Sequence, residues 1–337
     1  MRESAFTHQN KEKWLLFEEL LKSKTVNPQV LSDLYVKITD DLSFAKTFYP
    51  ESKTSRYLNE LASKVHHSIY RTKKERSNRL ITFYRDEVPM VFASIQKQLL
   101  LSFLIFAVAA AIGALSAYKD SSFLRVILGD SYVNLTIDNI KEGKPFDIYA
   151  KSDPVEMFLL ITWNNIKVSF VAFALGITYG FGTVIVLFRN GIMLGAFFTF
   201  FFQYGLLQES LLTVMLHGVI EISAIVAAGA AGLAIGNSLL FPKTYSRLYA
   251  LQTSAKKGMK VILGLLPLFI IAGFIESFLT RYAGMPIMVK GTVLLLSSLF
   301  ILYYFIIYPR TKVHQLREEN ESPVSLYEQE PDYEKFA

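Results

Sequence analysis

The sequence predicts an all-α membrane protein: a polytopic helical bundle of about six spans, preceded by an amino-terminal helical domain. Of its 337 residues 52% are hydrophobic and 19% are charged, an apolar share above that usual for soluble domains. Several apolar runs reach the roughly 20 residues that a helix needs to cross a bilayer. Lys and Arg crowd beside these runs, so a membrane explains the net charge of +6 and no nucleic-acid partner is expected. The chain has no cysteine, which excludes disulfide scaffolds, thiol nucleophiles and cysteine metal sites.

Residues 1–80 are expected to form a cytoplasmic helical domain. Asn27 and Pro28 are typical of a helix start, and apolar residues at helical spacing follow them. The first 97 residues hold no long apolar run, so we expect no cleavable signal peptide and a first span that acts as its own anchor.

Residues 81–97 are predicted to form an amphipathic helix lying in the membrane interface, around Pro89. A basic run just before it is expected to bind anionic lipid headgroups, with a solvated helix face as the alternative. This run contains Arg71, Lys73, Lys74, Arg76 and Arg79.

Six apolar runs are expected to span the membrane within a bundle over 98–309. The fourth, of about thirty residues, would be about 45 Å long and must tilt, kink or protrude from a core of about 30 Å. A loop over 119–163 is predicted on the outside, and a disordered acidic cytoplasmic tail over 310–337. The predicted spans are 98–118, 165–188, 191–207, 211–241, 259–280 and 287–308.

Loop charges predict the orientation by the positive-inside rule. Arg189 is expected between spans two and three, and the turn between spans three and four has no Lys or Arg. The segment before span one, the loop between spans four and five and the segment after span six are all basic. Both termini are therefore expected in the cytoplasm.

Ionisable residues inside spans normally face a cavity or a partner because they are costly in lipid. His217 and Glu221 are four residues apart, which places them on one helix face, close enough to bond. With Glu276 in span five, and Asn164 and Asn165 at the start of span two, they are expected to converge in the outer half of the bilayer. Three interpretations stay open: a hydrogen-bonded brace, a substrate or proton path, or a zinc site. Whether a metal binds is left undetermined.

No enzymatic motif of the HExxH, GxSxG or Walker type occurs, so neither catalytic residues nor a cofactor is expected. Small residues recur at four-residue spacing and are expected to pack helices, within the subunit or between subunits. These pairs are Gly176 with Gly180, Gly191 with Gly195, and Gly232 with Gly236.

The chain resembles the stage II sporulation protein M family of bacterial and archaeal membrane proteins. The most specific part of the match is HGVIEISAIVAAGAAGL at 217–233, and IAGFIESFLT at 271–280 supports it. The match continues in WNNIKVSFVAFALGITYGFGT at 163–183, in RNGIMLG at 189–195, and in the helices at 34–50 and 56–70.

The resemblance implies a multi-pass protein of the bacterial cytoplasmic, or inner, membrane. In spore formers the family's namesake assists engulfment together with partners that include peptidoglycan hydrolases. Other members often occur beside MoxR-like AAA ATPases and von Willebrand factor A domain proteins, and the extended amino-terminal domain resembles that branch. The family carries no established catalytic residues.

The expected function is therefore a non-enzymatic membrane scaffold that recruits partners to a cell-envelope assembly, as a homodimer in contact with membrane lipids. Its expected partners are an AAA ATPase, a von Willebrand factor A domain protein or peptidoglycan-remodelling proteins. The alternative is a transporter, channel or lipid-moving protein that uses the His217, Glu221 and Glu276 cluster. A third interpretation is an intramembrane metalloenzyme.

Overall fold

The computed structural model describes residues 2–22, 28–70, 78–146, 153–280 and 285–321. Within these ranges the chain forms helices and no strand, which confirms the all-α prediction. Six helices are long and apolar enough to cross a membrane, as a polytopic bundle requires. The chain divides into two compact units, residues 1–77 and residues 78–337.

The first unit contains helices α1 (Glu3–Lys22), α2 (Pro28–Phe48) and α3 (Lys53–Tyr70). Trp14 and Phe17 of α1 are buried with apolar residues of α2 and α3 in a core of their own. The indole Nε1 of Trp14 donates to Asp41 Oδ2 at 2.7 Å, which gives the buried ring a polar partner.

The second unit begins with α4 (Arg79–Thr82), a π-helical turn (Phe83–Glu87) and α5 (Val88–Ser94). Val88 and Phe92 are buried, and the Phe92 ring stacks on Phe305 with centroids 4.6 Å apart. The apolar residues of this segment therefore pack against the last span, and its position in the membrane interface stays a prediction. Of the predicted headgroup-binding run, Arg71 to Arg76 lie outside the described residues. Arg79 is exposed and pairs with Glu87 at 3.5 Å.

Six membrane-spanning helices follow. Their bounds are α6 Gln96–Lys119, α9 Pro154–Ala174, α10 Phe181–Gln203, α11 Leu207–Leu240, α12 Arg247–Phe274 and α13 Ile287–Leu302. Three of these helices continue into another helical form. A 3-10 turn, Leu175–Ile177, follows α9, and π-helical turns follow α12 (turn Ile275–Leu279) and α13 (turn Tyr303–Ile307).

The turn between the second and third spans lies at 178–180, about ten residues before its predicted position. Gly180 ends the connection with φ 85°, a left-handed conformation that glycine adopts without strain. At the amino-terminal end of the second span, the Asp153 side chain accepts from the backbone amides of Val155 and Glu156. This cap starts α9 at Pro154. The predicted outer loop over 119–163 thus ends ten residues earlier than expected. Arg189, predicted in a loop, lies within α10 and is exposed.

The loop after α6 carries two short helices, α7 (Ser121–Leu128) and α8 (Asp130–Lys141). Leu124 of α7 and Val133 of α8 are buried together with Phe200 and Phe201 of α10. The two helices therefore pack against the end of the bundle.

The acidic tail was predicted to be disordered from residue 310, but α14 (Tyr308–Glu321) continues the last span as a helix. Lys312 Nζ lies 2.8 Å from Asp86 Oδ1, which fixes the start of α14 to the segment before the first span. Residues 322–337 lie outside the described residues.

Small residues allow the spans to approach closely. A Cβ at Gly176 would meet the backbone of Gly232, and one at Gly236 would lie 2.5 Å from Gly180 N, so these glycines bring α9 and its turns against α11. Gly191 and Gly195 of α10 meet the backbone of α6 in the same way. All three predicted glycine pairs therefore pack helices of this chain against one another.

Candidate functional site

Three ionisable side chains meet inside the bundle. His217 and Glu221 come from α11, and Glu276 comes from the π-helical turn after α12. One ligand atom of each lies within 4.8 Å of the others. The His217 side chain is only 4% exposed and that of Glu276 only 13%, so the cluster is held among packed helices. We call these three residues the His-Glu-Glu cluster.

The two ring nitrogens of His217 have different neighbours. Nδ1 lies 3.3 Å from Thr280 Oγ1, and Nε2 lies 3.7 Å from Glu276 Oε1. Thr280 Oγ1 also donates to Ile275 O at 3.2 Å. When the Thr280 hydroxyl donates its one proton to Ile275 O, Thr280 Oγ1 accepts from Nδ1, and Nδ1 carries the imidazole proton. In this tautomer the lone pair on Nε2 faces Glu276.

Glu221 is held by the second span. Asn165 Nδ2 donates to Glu221 Oε1 at 2.6 Å, and Asn165 is buried. The cluster therefore links α9, α11 and the end of α12. Asn164, its neighbour in sequence, is exposed on α9 and is not part of this contact.

The π-helical turn places Glu276. The amide of Thr280 donates to Ile275 O at 2.9 Å across five residues, so this turn holds one residue more than an α-helical turn. Close packing brings the same part of α12 to α9, since a Cβ at Gly273 would meet Thr162 Oγ1. The buried hydroxyls of Thr162 and Ser277 make no hydrogen bond within the described part of the chain.

The cluster lies near the middle of α9, in the first half of α11 and near the end of the fifth span. At 1.5 Å per residue His217 lies about 15 Å from the start of α11, and Glu221 about 21 Å. Asn165 is about 16 Å from the start of α9. Glu276 is within one turn of Leu279, where the fifth span ends. Four of the five polar residues expected to converge are therefore brought together.

Three polar residues around the cluster were not predicted from the sequence. Thr280 contacts the His217 ring, and Lys290 Nζ lies 3.3 Å from Thr213 Oγ1, one helical turn before His217. Thr280 follows Glu276 by four residues and Thr213 precedes His217 by four. A four-residue spacing places both threonines on the helix face of the cluster residue, and it could have predicted them. No such spacing indicates Lys290.

A family model described as Stage II sporulation protein M matches residues 102–281, which is more than half of the chain and contains the whole His-Glu-Glu cluster. A second model, described as a domain of unknown function (DUF8413), matches residues 4–71. Comparison with curated proteins and with solved structures returned no match.

Proposed function

This chain belongs to the stage II sporulation protein M family, and from that premise we propose that it is an integral membrane scaffold that recruits partners to an assembly of the bacterial cell envelope. It resides in the cytoplasmic membrane with both termini in the cytoplasm, as the basic residues beside the spans support. The basic run over 71–79 then contacts anionic headgroups. The proposal is non-enzymatic, and the family membership supports a multi-pass membrane protein.

The observation that carries the proposal is a groove on the amino-terminal unit. It has a volume of about 360 Å³ and lies between α1 and α3. Leu15, half exposed at 50%, lies beside the buried Trp14 and the partly exposed Tyr57. Lys11, Glu18 and Lys53 also line it. Apolar walls with a charged rim are typical of a surface that binds a partner helix or peptide. The partners proposed from the family resemblance are an AAA ATPase, a von Willebrand factor A domain protein or a peptidoglycan-remodelling protein.

The exposed face of α9 supports a homodimer. Asn164 and Lys167 are both exposed near the middle of this span. Polar groups at this depth are costly against lipid. We therefore propose that a second copy of the chain covers this face.

The packing of α11 supports a scaffold over a transporter. Every residue from Ala224 to Leu233 is buried, and this stretch leads from the His-Glu-Glu cluster toward the carboxyl-terminal end of α11. A Cβ at Gly232 would meet the backbone of Ala172, and one at Gly229 would lie 2.7 Å from Leu187 Cδ2. Helices held this closely form a rigid bundle.

The test compares partners captured from native membranes by cross-linking and mass spectrometry. The full-length Leu15→Glu variant is compared with wild type at equal expression. Val36→Glu is the matched control, because Val36 is also exposed, at 55%, but does not line the groove. We expect Leu15→Glu to lower the recovery of specific envelope partners about tenfold, as a charge buried in an interface does, while Val36→Glu retains them. Equal recovery by both variants, with unchanged helix content, would contradict the proposed docking surface.

A further inference from the structure

The His-Glu-Glu cluster holds three potential metal-ligand atoms within 4.8 Å of one another. In the tautomer in which Nδ1 donates to Thr280, His217 Nε2 presents a lone pair toward Glu276 Oε1 at 3.7 Å. Asn165 supplies one donor, to Oε1 of Glu221. Two carboxylates and an imidazole lone pair are thus held together among packed helices. A cation bound between these three side chains would compensate the cost of burying the two carboxylates.

We propose that His217, Glu221 and Glu276 bind one divalent transition-metal ion of the zinc, manganese or iron class. An imidazole nitrogen and carboxylate oxygens are the ligands that these ions take in proteins. At metal–ligand distances of about 2.1 Å, tetrahedral ligand atoms are about 3.4 Å apart. The 3.7 Å between His217 Nε2 and Glu276 Oε1 is close to that value. The three ligand atoms lie within 4.8 Å of one another, so the longest separation exceeds the tetrahedral value by at most about 1.4 Å. Rotation of the glutamate side chains can shorten it by that amount.

The neighbouring side chains are arranged as a second coordination sphere. Thr280 holds Nδ1 of His217 and so directs Nε2 to the ion. Asn165 holds one oxygen of Glu221, which leaves the other oxygen for the ion. Such outer partners orient metal ligands and raise their affinity. The ion would join α11 to the π-helical turn after α12, and to α9 through Asn165. This structural role of the ion within the bundle is independent of the partners proposed above.

The metal content of the full-length protein tests the site. Wild type purified in detergent is stripped with a chelator and then titrated separately with Zn²⁺, Mn²⁺ and Fe²⁺. Bound metal is measured by mass spectrometry after desalting. We expect about one ion per chain in wild type and less than a tenth of that in Glu276→Gln and His217→Ala. Glu209→Gln is the matched control, because Glu209 is an exposed glutamate at the start of the same helix α11. It should bind as wild type does.

Two further measurements separate loss of metal from loss of folding. Asn165→Ala keeps all three ligands and should weaken metal binding by 10- to 100-fold, as loss of an outer partner does. Co²⁺ added to stripped wild type should give visible absorption bands, which Glu276→Gln should lack at unchanged helix content. The proposal is overturned if wild type takes up none of the three ions, or if Glu276→Gln binds one as tightly as wild type. It is equally overturned if the bound ion does not change the melting temperature of wild type.

Discussion

Replacing Gly191 by alanine tests the contact between α6 and α10. A Cβ at this position would lie 2.6 Å from Phe106 O and 2.7 Å from the Cβ of Ala109, both on α6. Ordinary contacts of a Cβ begin near 3.4 Å. The two helices must therefore separate by roughly 1 Å, since the atoms that the methyl group meets include backbone, which cannot rotate away.

The expected cost follows from this separation. A gap of 0.5–1 Å forfeits about a quarter to a half of each dispersion contact along the interface. Overpacking of this kind typically costs about 1–3 kcal/mol. The higher helix propensity of alanine offsets up to about 1 kcal/mol of this loss in the free energy of unfolding. We therefore expect Gly191→Ala to lower the free energy of unfolding by about 1–2 kcal/mol.

The free energy is measured by unfolding in mixed micelles with increasing sodium dodecyl sulfate, followed by circular dichroism. Gly291→Ala on α13 is the matched control, because a Cβ there meets nothing within 4 Å. It should gain about 0.5–1 kcal/mol from helix propensity alone. If Gly191→Ala unfolds at the same detergent fraction as Gly291→Ala, the close approach of α6 and α10 does not limit stability and the reasoning fails.

Two other predictions concern the segment before the first span. Phe92→Ala should cost about 3–5 kcal/mol in the same unfolding assay, because the buried ring stacks on Phe305, whereas a ring facing lipid would cost little. The Nζ of Lys260 lies 2.7 Å from Glu87 Oε2, and hydrogen bonding from this ammonium group lowers the pKa of Glu87. This ion pair therefore stabilises the fold at pH values above the ordinary glutamate pKa. Its contribution is lost as the pH falls through the lowered pKa of Glu87 in the folded protein. Between pH 7 and pH 3 wild type should therefore lose about 0.5 kcal/mol more than Glu87→Gln, by thermal unfolding. Equal losses would show that the pair contributes nothing.

Most of the bundle could be predicted because uniformly apolar runs of span length have one physical solution in lipid. The turn between the second and third spans could not. Arg189, Asn190 and Gly191 have the composition of a loop, but Asn190 Nδ2 donates to Val186 O within α10 and Gly191 serves the contact with α6. The same residue types that form turns in water pack and cap within a membrane helix, and local composition does not distinguish these uses.

The members of the site were predictable, but their pairing was not. Ionisable residues in apolar runs are conspicuous, and the four-residue spacing correctly placed His217 and Glu221 on one face of α11. The structure nevertheless pairs Glu221 with Asn165 and directs His217 Nε2 to Glu276. These partners depend on how α9 and α12 pack against α11, which spacing along one helix does not encode. No feature of IAGFIESFLT predicts a π-helical turn.

That turn makes the geometry around Glu276 depend on a single residue. An α-helix turns by 100° per residue, so removing the one extra residue of the turn would rotate Glu276 by about that angle and carry its carboxylate away from His217. A relative with an ordinary α-helical turn here would have to place its glutamate one position away to reach the same point in space. Comparisons within the family should therefore match this carboxylate by its position opposite the histidine rather than by its column in an alignment.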